Sequence, residues 1–148
     1  MAAKKPQPAA DTAKTTLTHV ENTLDPIIFP DSRVLLLGSM PSPKSREIGF
    51  YFGNPQNRFW RVVATLYGEK PLQSIPEKID FCKRHHLALC DVLKVCDIKG
   101  ASDASIANPV SHNIGALIQN SSICAIFTLG GTATKLYKRY TEQQTGIP

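Results

Sequence analysis

No apolar run in this 148-residue chain approaches the roughly 18 residues that a membrane-crossing helix requires; stretches such as Val34–Leu37 are only a few residues long. From Met1 to Thr16 the chain is mostly Ala, Lys, Pro, Gln and Thr, so the apolar centre of a secretory leader is missing there. Cys-x-x-Cys pairs are missing as well. Cys82, Cys90, Cys96 and Cys124 stand 8, 6 and 28 residues apart, a spacing that argues against a zinc or iron–sulfur site. Without a leader a disulfide framework is not expected either, and Cys82 and Cys124 read as buried free thiols among apolar neighbours. Internal repeats are lacking. Acidic residues are scarce: 12 Asp+Glu face 17 Lys+Arg, for a net charge of +5, which favours a polyanionic partner. What is present in ordinary amount is apolar residues, 42% of the chain, enough to exclude wholesale disorder. These features predict an intracellular protein with one folded domain.

Residues 1–24 combine balanced charge, two prolines and no apolar periodicity, which predicts a disordered arm, with the domain running over residues 25–148. The excess positive charge lies further on. Residues 31–70 hold six Lys+Arg against three acidic residues. Order is expected to begin at an extended lead-in, Pro26–Pro30, followed by the strand Arg33–Leu37 ending at Gly38. Phe59 to Tyr67 reads as a helix with Phe59, Val62, Val63 and Leu66 on one face. Glu77 to His85 reads as a second helix opened by Pro76, with Ile79 and Phe81 inward, and Leu87–Val92 as the second strand. Residues 97–112 look like loop. A helix near Ile114–Gln119, a strand over Ile123–Leu129 and a helix over Thr132–Tyr140 complete the pattern. Strands alternating with helices predict an α/β fold, a three-layer αβα sandwich around a mainly parallel central sheet.

Ligands of such sheets bind beyond the carboxyl ends of the strands. The segment after the first strand, residues 39–57, is long for a connection and rich in chemistry. It holds serines, a lysine and an arginine suited to phosphates, and three consecutive aromatics, Phe50-Tyr51-Phe52, between Gly49 and Gly53. A triplet of this kind serves equally well as core or as a platform for a stacked base. Asn57 precedes a helix, where a carboxamide is also a good cap.

Three blocks here, Gly38-Ser39-Met40-Pro41-Ser42, Gly49-Phe50-Tyr51-Phe52-Gly53 and Asn54-Pro55-Gln56-Asn57-Arg58-Phe59-Trp60, resemble the uracil-DNA glycosylase superfamily. The closest branch is that of the hypoxanthine-DNA (deoxyinosine) glycosylases, with features of the mismatch-specific uracil-DNA glycosylases. Leu89–Leu93 with Gly100–Asp103, and Ile126–Gly130, are similar to further blocks of that branch. The resemblance implies a monofunctional base-excision repair hydrolase. It would extrude a deaminated base from double-stranded DNA, hypoxanthine first and uracil second, and hydrolyse its N-glycosidic bond as a monomer, without metal or cofactor. Such work implies a nucleoid-associated place in the cytoplasm, or a nuclear one in a eukaryote.

By the same resemblance Asn57 positions the attacking water, because Met40 stands where mismatch-specific relatives carry an Asn. Phe52 stacks on the flipped base. Ser39, Met40, Tyr51, Leu129 and Gly130 surround it, and Ser42, Lys44, Ser45, Arg46 and Arg58 meet DNA phosphates. The chain departs from the hypoxanthine branch at Leu129, where an Asn is usual, and at Asn54, where a His is usual. The resemblance also leads one to expect a further C-terminal strand and a Pro/Ser-rich loop after Pro148, so the chain reads as C-terminally truncated. The alternative is a binding module of the same fold with impaired catalysis.

Other residues carry competing readings. Asp91 ends the second strand, where a carboxylate is either functional or a cap for Val92-Leu93-Lys94. His85, His86 and His112 read as structural or solvated, Gly130-Gly131 as a tight turn, and Lys135, Lys138 and Arg139 as a solvated helix face.

Overall fold

The apolar run expected to form the first core strand does so, and its neighbours set the architecture. A computed structural model describes residues 16–147. Strand β2 (Val34–Gly38) lies between β3 (Leu87–Asp91) and β6 (Ala125–Thr128), all parallel, in the order β3-β2-β6. Both faces of β2 and β3 are covered, which is why they read as continuous apolar runs, whereas Phe127 of β6, the register partner of Leu36, is 59% exposed. Val34, Leu36, Leu87 and Leu89 join one core with Trp60 of α2 (Phe59–Leu66) and Phe81 and Cys82 of α3 (Ile75–Arg84). Leu35, Leu37, Ala88 and Cys90 join the other with Ile114 of α4 (Ile114–Ile118) and Tyr137 of α5 (Gly131–Tyr140). Helices therefore pack on both faces of β2 and β3, in a mixed α/β fold. A short helix α6 (Glu142–Thr145) follows α5.

The mainly parallel sheet is corrected. The six strands among the described residues divide evenly, and the second half is an antiparallel sheet in the order β1 (Thr18–Glu21), β4 (Leu93–Lys99), β5 (Ser102–Ser111). Strands β4 and β5 form a hairpin across most of the stretch expected to be loop. Its two-residue connection is Gly100-Ala101, with Gly100 at φ +54°. Asn108, at φ +49°, and Pro109 mark a bulge in β5, where Val95 and Asp97 pair with Val110 and Ala107. Those turn-type residues made the strand look like loop. Strand β1 pairs with β4, so the expected arm gives way to sheet at Thr18. The rest of that arm, residues 1–15, lies outside the described residues.

Two helix faces also differ from expectation. In α2 the buried residues are Trp60 and Ala64, while Val62 and Leu66 are 51% and 76% exposed. In α3 Phe81 and Cys82 are buried and Ile79 is exposed. Cys124 is exposed, not buried. Among the described residues no helix is long and apolar enough to cross a membrane.

Candidate active site

The carboxyl ends of the parallel trio open on one cleft of about 160 Å³. Gly38 ends β2, Asp91 ends β3, and Leu129 follows β6 with its N–H donating to the Leu37 carbonyl oxygen (2.9 Å). Met40, Phe52 and Asn57 complete the walls that matter here.

The expected long connection contains a helix, α1 (Pro43–Ile48). Ser42 caps it, its Oγ accepting from the Ser45 N–H (3.1 Å), and Pro43 occupies the first turn, where its missing N–H costs nothing. Gly49, at φ +82°, ends it in the left-handed conformation. The Ser45 Oγ then accepts from the Gly53 N–H (3.2 Å), folding residues 49–53 back along α1. Ser42 and Ser45 therefore hold the loop through their hydroxyls, and both residues also line the cleft. Lys44 is exposed and paired with Glu47 (3.5 Å). Arg46 is half-buried with its Nε unpartnered, and burial lowers its pKa. Arg58 is exposed and lies outside the cleft lining, in a separate surface hollow with Arg61, Val62 and Leu66.

The aromatic triplet divides between core and cleft. Phe50 is buried and stacked on Trp60 (5.8 Å between centroids, 21° between planes). Tyr51 is buried too and also lines the cleft; its carbonyl oxygen accepts from the Trp60 indole N–H (2.9 Å), and burial drives its phenol pKa upward. Phe52 is half-buried, lies against Phe59 at 4.1 Å, and has a φ of +52°. That left-handed backbone costs about 1–2 kcal/mol in a residue with a side chain. The ring packs at the edge of the aromatic core, and the residue also lines the cleft.

Asn57 stands one residue before the cap of α2, Arg58, and borders the cleft. Its Oδ1 accepts from the Phe59 N–H (2.8 Å) at the entrance to α2. Its Nδ2 has no partner among the described residues. Ser39, buried, donates from Oγ to both oxygens of Asp103 (3.1 Å each). Met40 and Leu129 line the cleft, and Gly130, at φ +100°, opens α5.

Asp91 is the residue whose role the sequence left open. It is 3% exposed and caps nothing, because the chain passes from β3 into β4 without a turn. Its Oδ2 accepts from Asn22 Nδ2 (3.3 Å), and its Oδ1 carries no hydrogen bond among the described residues. Burial pushes its pKa up to about 7; Asp103 adds to the rise and the Asn22 amide opposes it. Its place at a strand's carboxyl end was the available signal.

The histidines stay outside the cleft. His85 stacks on Tyr67 and contacts Glu69, and His86 pairs with Asp31 (3.4 Å). Among the described residues no cluster of His, Cys, Asp and Glu is arranged to hold a metal ion.

Comparison with known proteins bears on this geometry. A sequence profile of the uracil DNA glycosylase superfamily matches residues 26–147. A hypoxanthine DNA glycosylase of Methanosarcina barkeri (strain Fusaro / DSM 804) is 36% identical over 83 residues, 55% of this chain and 52% of that protein. One from Methanosarcina acetivorans is 32% identical over 93 residues, 62% of this chain and 58% of that protein. The matched segments thus span little more than half the length of these curated relatives. The solution NMR structure of a Methanosarcina acetivorans protein described as a candidate uracil DNA glycosylase superposes with a TM-score of 0.73 at 26% identity. It covers 84% of this chain and 77% of that one.

Proposed function

The chain belongs to the uracil DNA glycosylase superfamily, and from that premise we propose that it hydrolyses the N-glycosidic bond of deaminated bases in double-stranded DNA, hypoxanthine first and uracil second. The observation that carries this reading is the meeting of Phe52 and Asn57 in one cleft at the carboxyl ends of β2, β3 and β6. Extruding a base costs a few kcal/mol, least for a mispaired one, and needs a wall against which the base can stack. Phe52, held by Phe59 behind it, supplies that wall. Bond cleavage builds positive charge on the sugar and negative charge on the leaving base. The Asn57 carboxamide, fixed by the Phe59 N–H, orients the water that attacks C1′. Its Oδ1 retains a second lone pair for that water. The matched blocks contain no lysine nucleophile in this reading, so the DNA strand stays intact. The protein acts as a monomer in the compartment that holds the DNA, and the net charge of +5 favours that partner.

Incubation with duplexes containing deoxyinosine or deoxyuridine, followed by measurement of abasic sites, tests the reading. Abasic sites from either duplex support hydrolysis, with the deoxyinosine duplex the faster. The second reading, a module that binds such DNA without turnover, is favoured by Met40, whose thioether lines the cleft where it cannot orient water. Retained binding with no abasic sites selects it.

A further inference from the structure

We propose that Asp91 is the acid of the reaction: its neutral carboxyl protonates a ring nitrogen of the departing purine as the glycosidic bond breaks. This rests on the glycosylase reading above and deepens it. The carboxyl sits at the end of β3 in the same cleft as Phe52 and Asn57. Its surroundings favour the protonated form. Asn22 is its one hydrogen-bond donor, at 3.3 Å, and no Lys, Arg or His lies in ion-pair contact with it among the described residues.

The titratable groups that face it do not supply positive charge. From β5 comes the Asp103 carboxylate, itself held by Ser39. From the loop after α1 comes the Tyr51 phenol, and from β3 itself the Cys90 thiol, both pushed by burial to stay neutral at physiological pH. A buried carboxyl so placed keeps its proton up to about pH 7. Gly38 makes room for it, because a Cβ at that position would stand 2.5 Å from Asp91 Oδ1. That oxygen has no partner among the described residues and is free to reach a ligand.

The balance is that of a hydrolysis. The C1′–N9 bond breaks and its electron pair leaves with the base. The Asp91 O–H passes its proton to a basic ring nitrogen, so hypoxanthine departs neutral. Water adds to C1′ and releases a proton to solvent, and the Asp91 carboxylate takes one up from solvent after the base has left. A purine offers N3 and N7 for this transfer, whereas uracil departs as an anion spread over its carbonyl oxygens. The acid therefore sets a preference for purines.

The test is single-turnover release of hypoxanthine from a deoxyinosine duplex between about pH 5.5 and 8.5, for the native chain and Asp91→Asn. The native rate is expected to be level at low pH and to fall about tenfold per unit above about pH 7. Asp91→Asn, close in shape, is expected to be slower by on the order of 100-fold at low pH, with no such fall. Thermal midpoints of both proteins establish that the variant is folded, and the native profile needs no variant at all. A flat native profile, or a variant within about threefold of native with the same profile, overturns the role of Asp91 alone. No release by the native chain at any pH overturns the glycosylase reading and this inference with it.

Discussion

Gly38 and Asp91 are register partners at the carboxyl ends of β2 and β3, and a Cβ on Gly38 would lie 2.5 Å from Asp91 Oδ1. The contact is with the reacting end of a carboxyl held by strand and amide, not with a flexible tip. Gly38→Ala is therefore expected to displace that carboxyl, destabilise the fold by about 1–3 kcal/mol, and lower excision as well. Urea denaturation measures the first effect and abasic-site formation the second.

The same carboxyl makes stability depend on pH. Its pKa is raised on folding, from the ordinary 3.8 to about 7, so the folded state binds its proton more tightly than the unfolded chain does. Its contribution is fully present below about pH 4, falls as pH rises toward 7, and is lowest beyond that. A rise of this size makes the ionised form cost on the order of 4 kcal/mol. Asp91→Asn does not titrate. Its thermal midpoint relative to the native chain is expected to climb between about pH 4 and 7; a constant difference would remove the argument.

Asn57 has two roles that substitution separates. Asn57→Ala loses the Oδ1 bond to the Phe59 N–H and is expected to cost about 1 kcal/mol of stability together with most of the excision rate. Asn57→Ser keeps a capping oxygen, so it should retain stability while losing excision by on the order of 100-fold. Denaturation curves and single-turnover rates decide between cap alone and cap plus water.

Phe52 combines a stacking ring with a strained backbone, φ +52°. Phe52→Ala and Phe52→Gly are both expected to weaken binding of a deoxyinosine duplex by about 1–3 kcal/mol, through loss of the stacking face. Of the two, the glycine variant should be the more stable, because it alone relieves the left-handed conformation. Fluorescence titration and thermal melts give the two orderings.

Much of the fold was legible because burial on both faces leaves plain apolar runs, as in β2 and β3, and because Pro76 marks the first turn of α3. The β4–β5 hairpin was not, since Asn108 and Pro109 at its bulge carry the residue types of a loop. Strand β1 turns only Val20 inward, too little for a pattern, and α1 buries only Ser45. In α2 the apolar spacing of Val62 and Leu66 pointed to the wrong face, because Trp60 anchors the helix to Phe50 and Tyr51 instead. Within the site, the blocks around Phe52 and Asn57 contain residues that line the cleft. The internal use of Ser42 and Ser45 depends on how residues 49–53 fold back, and spacing along the chain does not encode that. Asp91 stood out only as a carboxylate ending a strand; its isolation from any cation is a property of two sheets meeting.

The most direct measurement is chromatographic detection of free base after incubating the chain with a duplex that carries one deoxyinosine. Free hypoxanthine, in amounts equal to the abasic sites formed and with the strand uncut, is the predicted result. A duplex that is bound yet returned with its deoxyinosine intact would contradict the account.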